Sequence, residues 1–437
     1  MNLLVPVKDR LLFLMTIQAC KAAIMYITSM THRDELFHLA LRWMNDDFRP
    51  EDGKTVSRIF LYESAISSVV VDRMINFLEK LFQANLQMER VRRKQVLRER
   101  IIRYLPHHSA RNRHLARIFQ ENPEYFFPRL PIDVILLTTP EQRLVAAGRI
   151  KQIFRIAEKV SFRLVDALFQ EIKAEARHVS AQRAAALGVT IEQLESSQED
   201  MRDDFVQAEA KIARRFKDRD VHIDSRSMAL NDLLGFKVIC QQELIDSFAG
   251  IVRLEPDMDI VEIEEHTGDY RAVNLLVDIE LPPPGELTAR LDRIDWSAAA
   301  RRGLDPGEIS TGVEDYVRQG AGRVRVEIIL TTYDELMESE FGRCIHELRV
   351  LRLRERRTYS GPIAQNAAYL VDYLLALASS PTVDVQELPV KMYGRYLPET
   401  MAFSKLELYG CDMDDTLLDA FCPQLYCARP GHASIFT

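Results

Sequence analysis

Cysteine is scarce in this chain, and what there is lies scattered. Six thiols in 437 residues (Cys20, Cys240, Cys344, Cys411, Cys422 and Cys427) cannot staple a fold of this size, so a disulfide scaffold is excluded and a reducing, cytoplasmic setting is expected. Long apolar runs are missing too. The nearest is residues 11–30, where Gln18 and Lys21 break the run; it reads as a buried amphipathic helix in preference to a membrane span or a lipoprotein-like leader ending at Cys20. Glycine is nearly absent from the first 200 residues, which hold only Gly53, Gly148 and Gly188 of the seventeen. Low glycine with long periodic stretches favours helices. There is no internal repeat and no low-complexity segment.

Positive charge is in deficit overall. A formal net charge of -8 excludes wholesale coating of a nucleic acid, because phosphate affinity comes from dense cationic charge. The deficit is uneven, since residues 90–117 carry ten Lys and Arg. That basic stretch could dock RNA, a nucleotide or an acidic partner, although a solvated helix face is the commoner reason for such a run.

Along the chain, residues 57–103 have the composition of one long helix or two joined end to end. Ile150, Ile153, Ala157, Val160, Leu164, Leu168 and Ile172 recur at three- and four-residue steps, with Thr139-Pro140 as its expected N-cap and first turn. Pro123, Pro128 and Pro131 mark a joint between them. Beyond about residue 228 the period shortens to that of strands, over residues 235–240, 259–264, 272–281 and 324–330. The expected fold class is therefore α+β. An all-helical N-terminal domain (1–200) precedes a mixed-sheet domain (201–358) with an insert at 282–322, and a C-terminal extension (359–437) follows, containing one apolar helix and then short strand-like pieces.

Three segments of the sheet domain carry the chemistry. Asp232-Leu233-Leu234-Gly235-Phe236-Lys237-Val238-Ile239 is followed by Asp269-Tyr270-Arg271-Ala272-Val273-Asn274 and then by Glu327-Ile328-Ile329-Leu330-Thr331-Thr332. A carboxylate opening a strand, as Asp232 does, can hold a hard divalent cation such as Mg²⁺, and Glu327 can be its second ligand or a general base. Each alone is more often an ordinary strand-end acid.

In that order, with the trailing Glu338-Ser339-Glu340-Phe341-Gly342-Arg343-Cys344-Ile345-His346, the segments resemble the synthetase domain of RelA/SpoT-type alarmone synthetases, which has a nucleotidyltransferase-like fold. The resemblance covers roughly residues 205–350. It departs from the family pattern at Lys237, where the family has Arg, in the second segment, which lacks Ser and His, and in the third, which lacks Gln and Arg. It implies that Asp232 and Glu327 bind Mg²⁺ and that Tyr270 stacks on an acceptor guanine. Lys237, Arg271, Asn274 and His346 would complete the nucleotide site, and Lys211 and Arg215, on one helix face, would hold donor phosphates. The implied reaction moves pyrophosphate from ATP to the 3′-hydroxyl of GDP or GTP, or, as a variant, to a tRNA 3′ end. The alternative is a non-catalytic nucleotide-binding or regulatory protein of the same fold. No metal pair of the family's hydrolase domain is visible.

Two C-terminal motifs are set aside. Asp412-Met413-Asp414-Asp415-Thr416 copies a phosphatase nucleophile motif without the chain length that fold needs. Cys411, Cys422, Cys427 and His432 match no zinc spacing.

Overall fold

The computed structural model describes residues 31–104, 109–194, 198–221, 223, 230–267, 271–342, 344–355, 361–381 and 383–410. Seven strands form one mixed sheet: β1 (Gln87–Arg93), β2 (Pro131–Thr138), β3 (Leu144–Ile150), β4 (Leu234–Ile239), β5 (Met258–Thr267), β6 (Arg271–Glu280) and β7 (Arg323–Thr331). Their order is β1-β2-β3-β4-β7-β6-β5. Only β4 and β7 run parallel, with Gly235 beside Glu327 and Lys237 beside Ile329; every other neighbouring pair is antiparallel.

Side chains alternate across a strand, so each strand writes two faces. Leu234, Phe236 and Val238 of β4 and Val326, Ile328 and Leu330 of β7 belong to the larger apolar core. Gly235, Lys237 and Glu327 fall on the opposite face. The N-terminal half supplies α1 (Arg33–Met44), α2 (Asp52–Phe82), α3 (Lys94–Arg103), α4 (Ala110–Glu121), α5 (Ile153–Leu187) and α6 (Gln198–Lys217). The C-terminal half supplies α7 (Gln242–Val252), α8 (Pro284–Leu291), α9 (Pro306–Gln319), α10 (Tyr333–Met337), α11 (Ile345–Glu355), α12 (Pro362–Ala376) and α13 (Pro398–Leu408). The larger core draws on residues from Leu36 to Leu408 and includes apolar side chains of α2, α5 and α12. A smaller core on the other face joins Leu97 and Ile101 of α3, Leu115 and Phe119 of α4, Val134 and Leu136 of β2, and Leu336 and Phe341.

The architecture is α+β, and the four strands expected beyond residue 228 are present as β4, β5, β6 and β7. Other expectations need correction. The stretch 57–103 is not continuous helix: α2 closes on Gln83 in the left-handed region (φ 51°), and the polar Gln87–Arg93 segment forms an edge strand. Such a strand shows no apolar alternation, which conceals it. Because β1, β2 and β3 all lie before residue 200, the N-terminal part is not purely helical; its strands extend the same sheet. Thr139-Pro140 sits in the β2–β3 turn, where Gln142 N donates to Thr139 O at 2.9 Å, and α5 starts instead after an extended Gln152. The insert folds as α8, a 3₁₀ turn (Trp296–Arg302) and α9. Past residue 379 the described residues hold α13 and no strand. No helix among them is long and apolar enough to cross a membrane. Residues 11–30, the Asp412 motif and the cysteine-histidine group 411–432 lie outside the described residues.

Candidate ligand-binding site

The face of the sheet that carries Lys237 is not filled to its edge. Ala147 of β3 stands beside Lys237 and Arg149 beside Gly235, while Leu136 and Val134 of β2 continue the same rows. Between these strands, α3 and the 336–351 region lies a cavity of about 210 Å³. Its walls are mainly apolar, with Leu97, Ile101, Val134, Leu136 and Leu144 among them. Phe127, Leu130, Phe154 and Leu351 also line it and remain exposed, giving the mouth a greasy rim. Single exposed apolar residues are ordinary, whereas a cluster around a concavity marks a binding surface.

One end of the cavity is charged. Lys94 and Glu340 pair at 2.7 Å, and Lys94 reaches Glu347 at 3.0 Å. Behind them the fully buried Arg98 contacts Glu347 at 3.3 Å and donates from Nε to the Glu340 carbonyl at 3.0 Å. These four charges cancel, as buried charges must. Burial would lift the Glu340 carboxyl, but Lys94, Lys237 and Arg98 outweigh it and hold the group below its usual range. Arg149 comes within 3.2 Å of His346 Nε2. Burial of the imidazole among protein atoms, followed by the positive charges of Arg149 and Lys94, holds His346 down to about 3, although the residue as a whole keeps exposed surface. At neutral pH it is therefore an uncharged hydrogen-bonding group. The lining also includes Asp133 and Arg155, so its formal charges, four cations against three carboxylates, sum to +1, and Arg98 stands directly behind.

The residues singled out in the sequence are distributed unevenly around this site. Lys237 and His346 both line the cavity. Glu327 lies on the same sheet face one strand further on, where Asn274 donates to it at 3.1 Å. Gly235 leaves its flank open: a methyl group there would sit 3.5 Å from a Glu327 carboxylate oxygen. Asp232 is held elsewhere. Its carboxylate pairs with Lys151, just past β3, and with Lys159 on α5. Burial pushes this carboxyl up, but the two ammonium groups prevail and keep it well below the usual carboxylate range. Ile156, Ala157 and Val160 of the same helix belong to the larger core, so Lys159 stands on a helix anchored there.

Arg271 is exposed at the start of β6. Lys211 pairs with Glu175 at 2.6 Å, sixteen residues along α5 from Lys159, or about 24 Å at the helical rise. Arg215 donates to the Asp220 carbonyl at 3.2 Å. Neither gathers at Asp232. Tyr270 lies outside the described residues. As arranged, the Asp232 carboxylate is engaged by Lys151 and Lys159 and that of Glu327 by Asn274. Among the described residues no group of three His, Cys, Asp or Glu is placed to hold a metal.

The basic stretch 90–117 is largely committed within the molecule. Arg90 pairs with Asp133, Arg100 with Glu89 and Arg111 with Glu338, while Lys94 and Arg98 are buried in the quartet. Lys94, Arg98, Arg149 and Glu347 were not singled out individually as site residues. The signal available was the position of Arg149 at the end of an apolar run, and Lys94 and Arg98 sharing a helix face at i and i+4.

No family model and no curated protein matches the chain. Among solved structures, the small alarmone synthetase 1 from Bacillus subtilis is similar at 18% identity, over 38% of this chain and 69% of that one, with a TM-score of 0.18. That likeness is too slight to fix activity.

Proposed function

We propose that this chain is a nucleotide-binding protein related in design to the RelA/SpoT synthetase domain, and that it binds without transferring pyrophosphate. The observation that carries the reading is the convergence of Lys237, Arg149 and neutral His346 in one cavity with apolar walls. Lys237 offers phosphate a point charge, and Arg149 a planar fork that can grip two oxygens. His346 supplies a hydrogen bond with no charge, and Phe127 and Phe154 at the mouth offer faces on which a base can stack. At about 210 Å³ the cavity is below the roughly 300 Å³ at which ordinary ligand sites begin. It takes one end of a nucleotide, and the remainder lies across the exposed rim.

The competing reading is Mg²⁺-dependent pyrophosphate transfer from ATP to the 3′-hydroxyl of GDP, GTP or a tRNA end. It would need Asp232 freed from two lysines. The sequence order of the three segments favours it, and those ion pairs compete with a metal for the carboxylate.

Calorimetric titration of ATP, AMP, GDP and GTP into the full chain, beside transfer of label from γ-³²P-ATP with Mg²⁺, separates the two. Binding that Lys237→Met and Arg149→Met each weaken about tenfold, the loss of one phosphate contact, with no label transferred, is the expected result. Label transfer that Asp232→Asn abolishes would establish the transferase instead. Absence of any nucleotide binding would end the proposal.

A further inference from the structure

Among the described residues the sheet has two open edges, and they carry opposite charge. At one end of the strand order, β1 holds Arg90, Arg92 and Arg93 against the single Glu89. At the other, β5 holds Asp259, Glu262, Glu264 and Glu265 and no Lys or Arg. Both are unusually bare. All of β1 except Glu89 and Val91 is exposed, as is most of β5 beyond Met258. Apolar side chains stand among these charges, with Met88 at 63% of full exposure on β1 and Val261 and Ile263 at 43% and 41% on β5. Among the described residues, Gln87–Arg93 make no backbone hydrogen bonds outside the ladder to β2, and residues 259–267 none outside the ladder to β6. Each edge therefore presents a row of outward N–H and C=O groups to whatever strand arrives.

Charges on edge strands ordinarily prevent aggregation. Here β1 is net basic and β5 wholly acidic, so β1 repels β1 and β5 repels β5, but β1 attracts β5. We infer that the chain self-associates head to tail, the basic β1 edge of one copy adding to the acidic β5 edge of the next and continuing the sheet. Both edges have a register irregularity, between Val91 and Arg93 and between Ile260 and Glu262, which leaves residues 87–91 and 262–267 as the regular runs that pair, with Arg92 and Arg93 at the end of the first to attract the acids of β5. Five or six paired residues span about 17–20 Å. Cross-strand opposite-charge pairs and the covering of Met88 and Ile263 add to the backbone bonds. Such a contact is heterologous, so association proceeds to a ring or an open chain and does not stop at a two-fold dimer.

The test is sedimentation velocity of the full chain over a wide concentration range. The wild type is expected to grow in mass with concentration and to dissociate as salt rises. Arg92→Glu with Arg93→Glu makes both edges acidic; Glu262→Arg, Glu264→Arg and Glu265→Arg together make both basic. Each variant alone is expected to associate about tenfold more weakly, the consequence of a few reversed charge pairs, and an equimolar mixture of the two to recover association. These positions are exposed, so melting curves should match the wild type; should one variant misfold, Ile263→Lys is the second disruption of β5. A wild type that stays monomeric throughout, or a mixture that associates no better than its components, overturns the inference.

Discussion

Lys94 and Glu340 pair at 2.7 Å where their side chains retain only 6% and 11% of their surface. Glu347 and Arg98 close the group into a neutral quartet. Removing one member strands the others, which is costlier than the pair itself is favourable. Lys94→Met is expected to destabilise the protein by about 3–5 kcal/mol, read from urea unfolding at neutral pH, while Lys94→Met with Glu340→Leu loses less than the single change. A double variant that loses as much as the single one would show that packing, not charge, dominates here. The effect fades in acid: Glu340 has its folded value depressed, so its contribution is present above about 4.3, the unfolded value, and is lost as pH falls through the folded one.

Lys151 behaves in the opposite charge sense. Burial pushes its ammonium down to about 7, against the pull of Asp232 and with the push of Lys159. The unfolded chain keeps the proton up to about 10.4, so between those values the unfolded state binds more protons and stability rises with pH. Thermal unfolding from pH 7 to 10 is expected to show that rise in the wild type and a flatter profile in Lys151→Met. Parallel profiles would mean the amine is charged like any surface lysine.

The sheet's C-terminal strands were legible because their β-branched residues are concentrated and bounded by turns, as in Arg323–Thr331. β1 was not, since Gln87–Arg93 is polar on both faces at an open edge and only Val91 is buried. The site divides the same way. Lys237 and His346 could be picked from motif order. Arg149 and Lys94 reach the same cavity through the pairing of β3 with β4 and the packing of α3, contacts made across long sequence separations that one-dimensional spacing does not encode. Asp232 shows the limit most sharply: its partner Lys159 sits on a helix face that periodicity could find, but not which strand end that face would meet.

His346 gives a direct electrical readout of the cavity. With its folded value near 3 and its unfolded value near 6.5, the neutral ring contributes stability that is present above 6.5 and lost as pH falls toward 3. Imidazole carbon shifts followed by NMR, assigned with His346→Gln, should titrate near 3. Arg149→Met removes one of the cations that depress it and should move the midpoint upward. A midpoint near 6.5 in the wild type would mean the ring is solvated and stands apart from Arg149 and Lys94.

Two helical glycines are expected to respond to alanine with opposite sign. Gly250 lies exposed in α7, and a methyl group there would meet nothing within 4 Å. Only backbone entropy is at stake, so Gly250→Ala should stabilise by up to about 1 kcal/mol. Gly53 lies in the first turn of α2, where the chain after α12 crosses close: Val385 N donates to Pro50 O at 3.3 Å, and a Cβ at position 53 would run into the Val383 carbonyl. That obstacle is backbone and cannot rotate away. The helix-propensity gain is the same size as at Gly250, but overpacking costs about 1–3 kcal/mol, and the clash wins. Urea midpoints should therefore rise for Gly250→Ala and fall for Gly53→Ala; a rise at position 53 would mean that residues 383–385 do not pack against the start of α2.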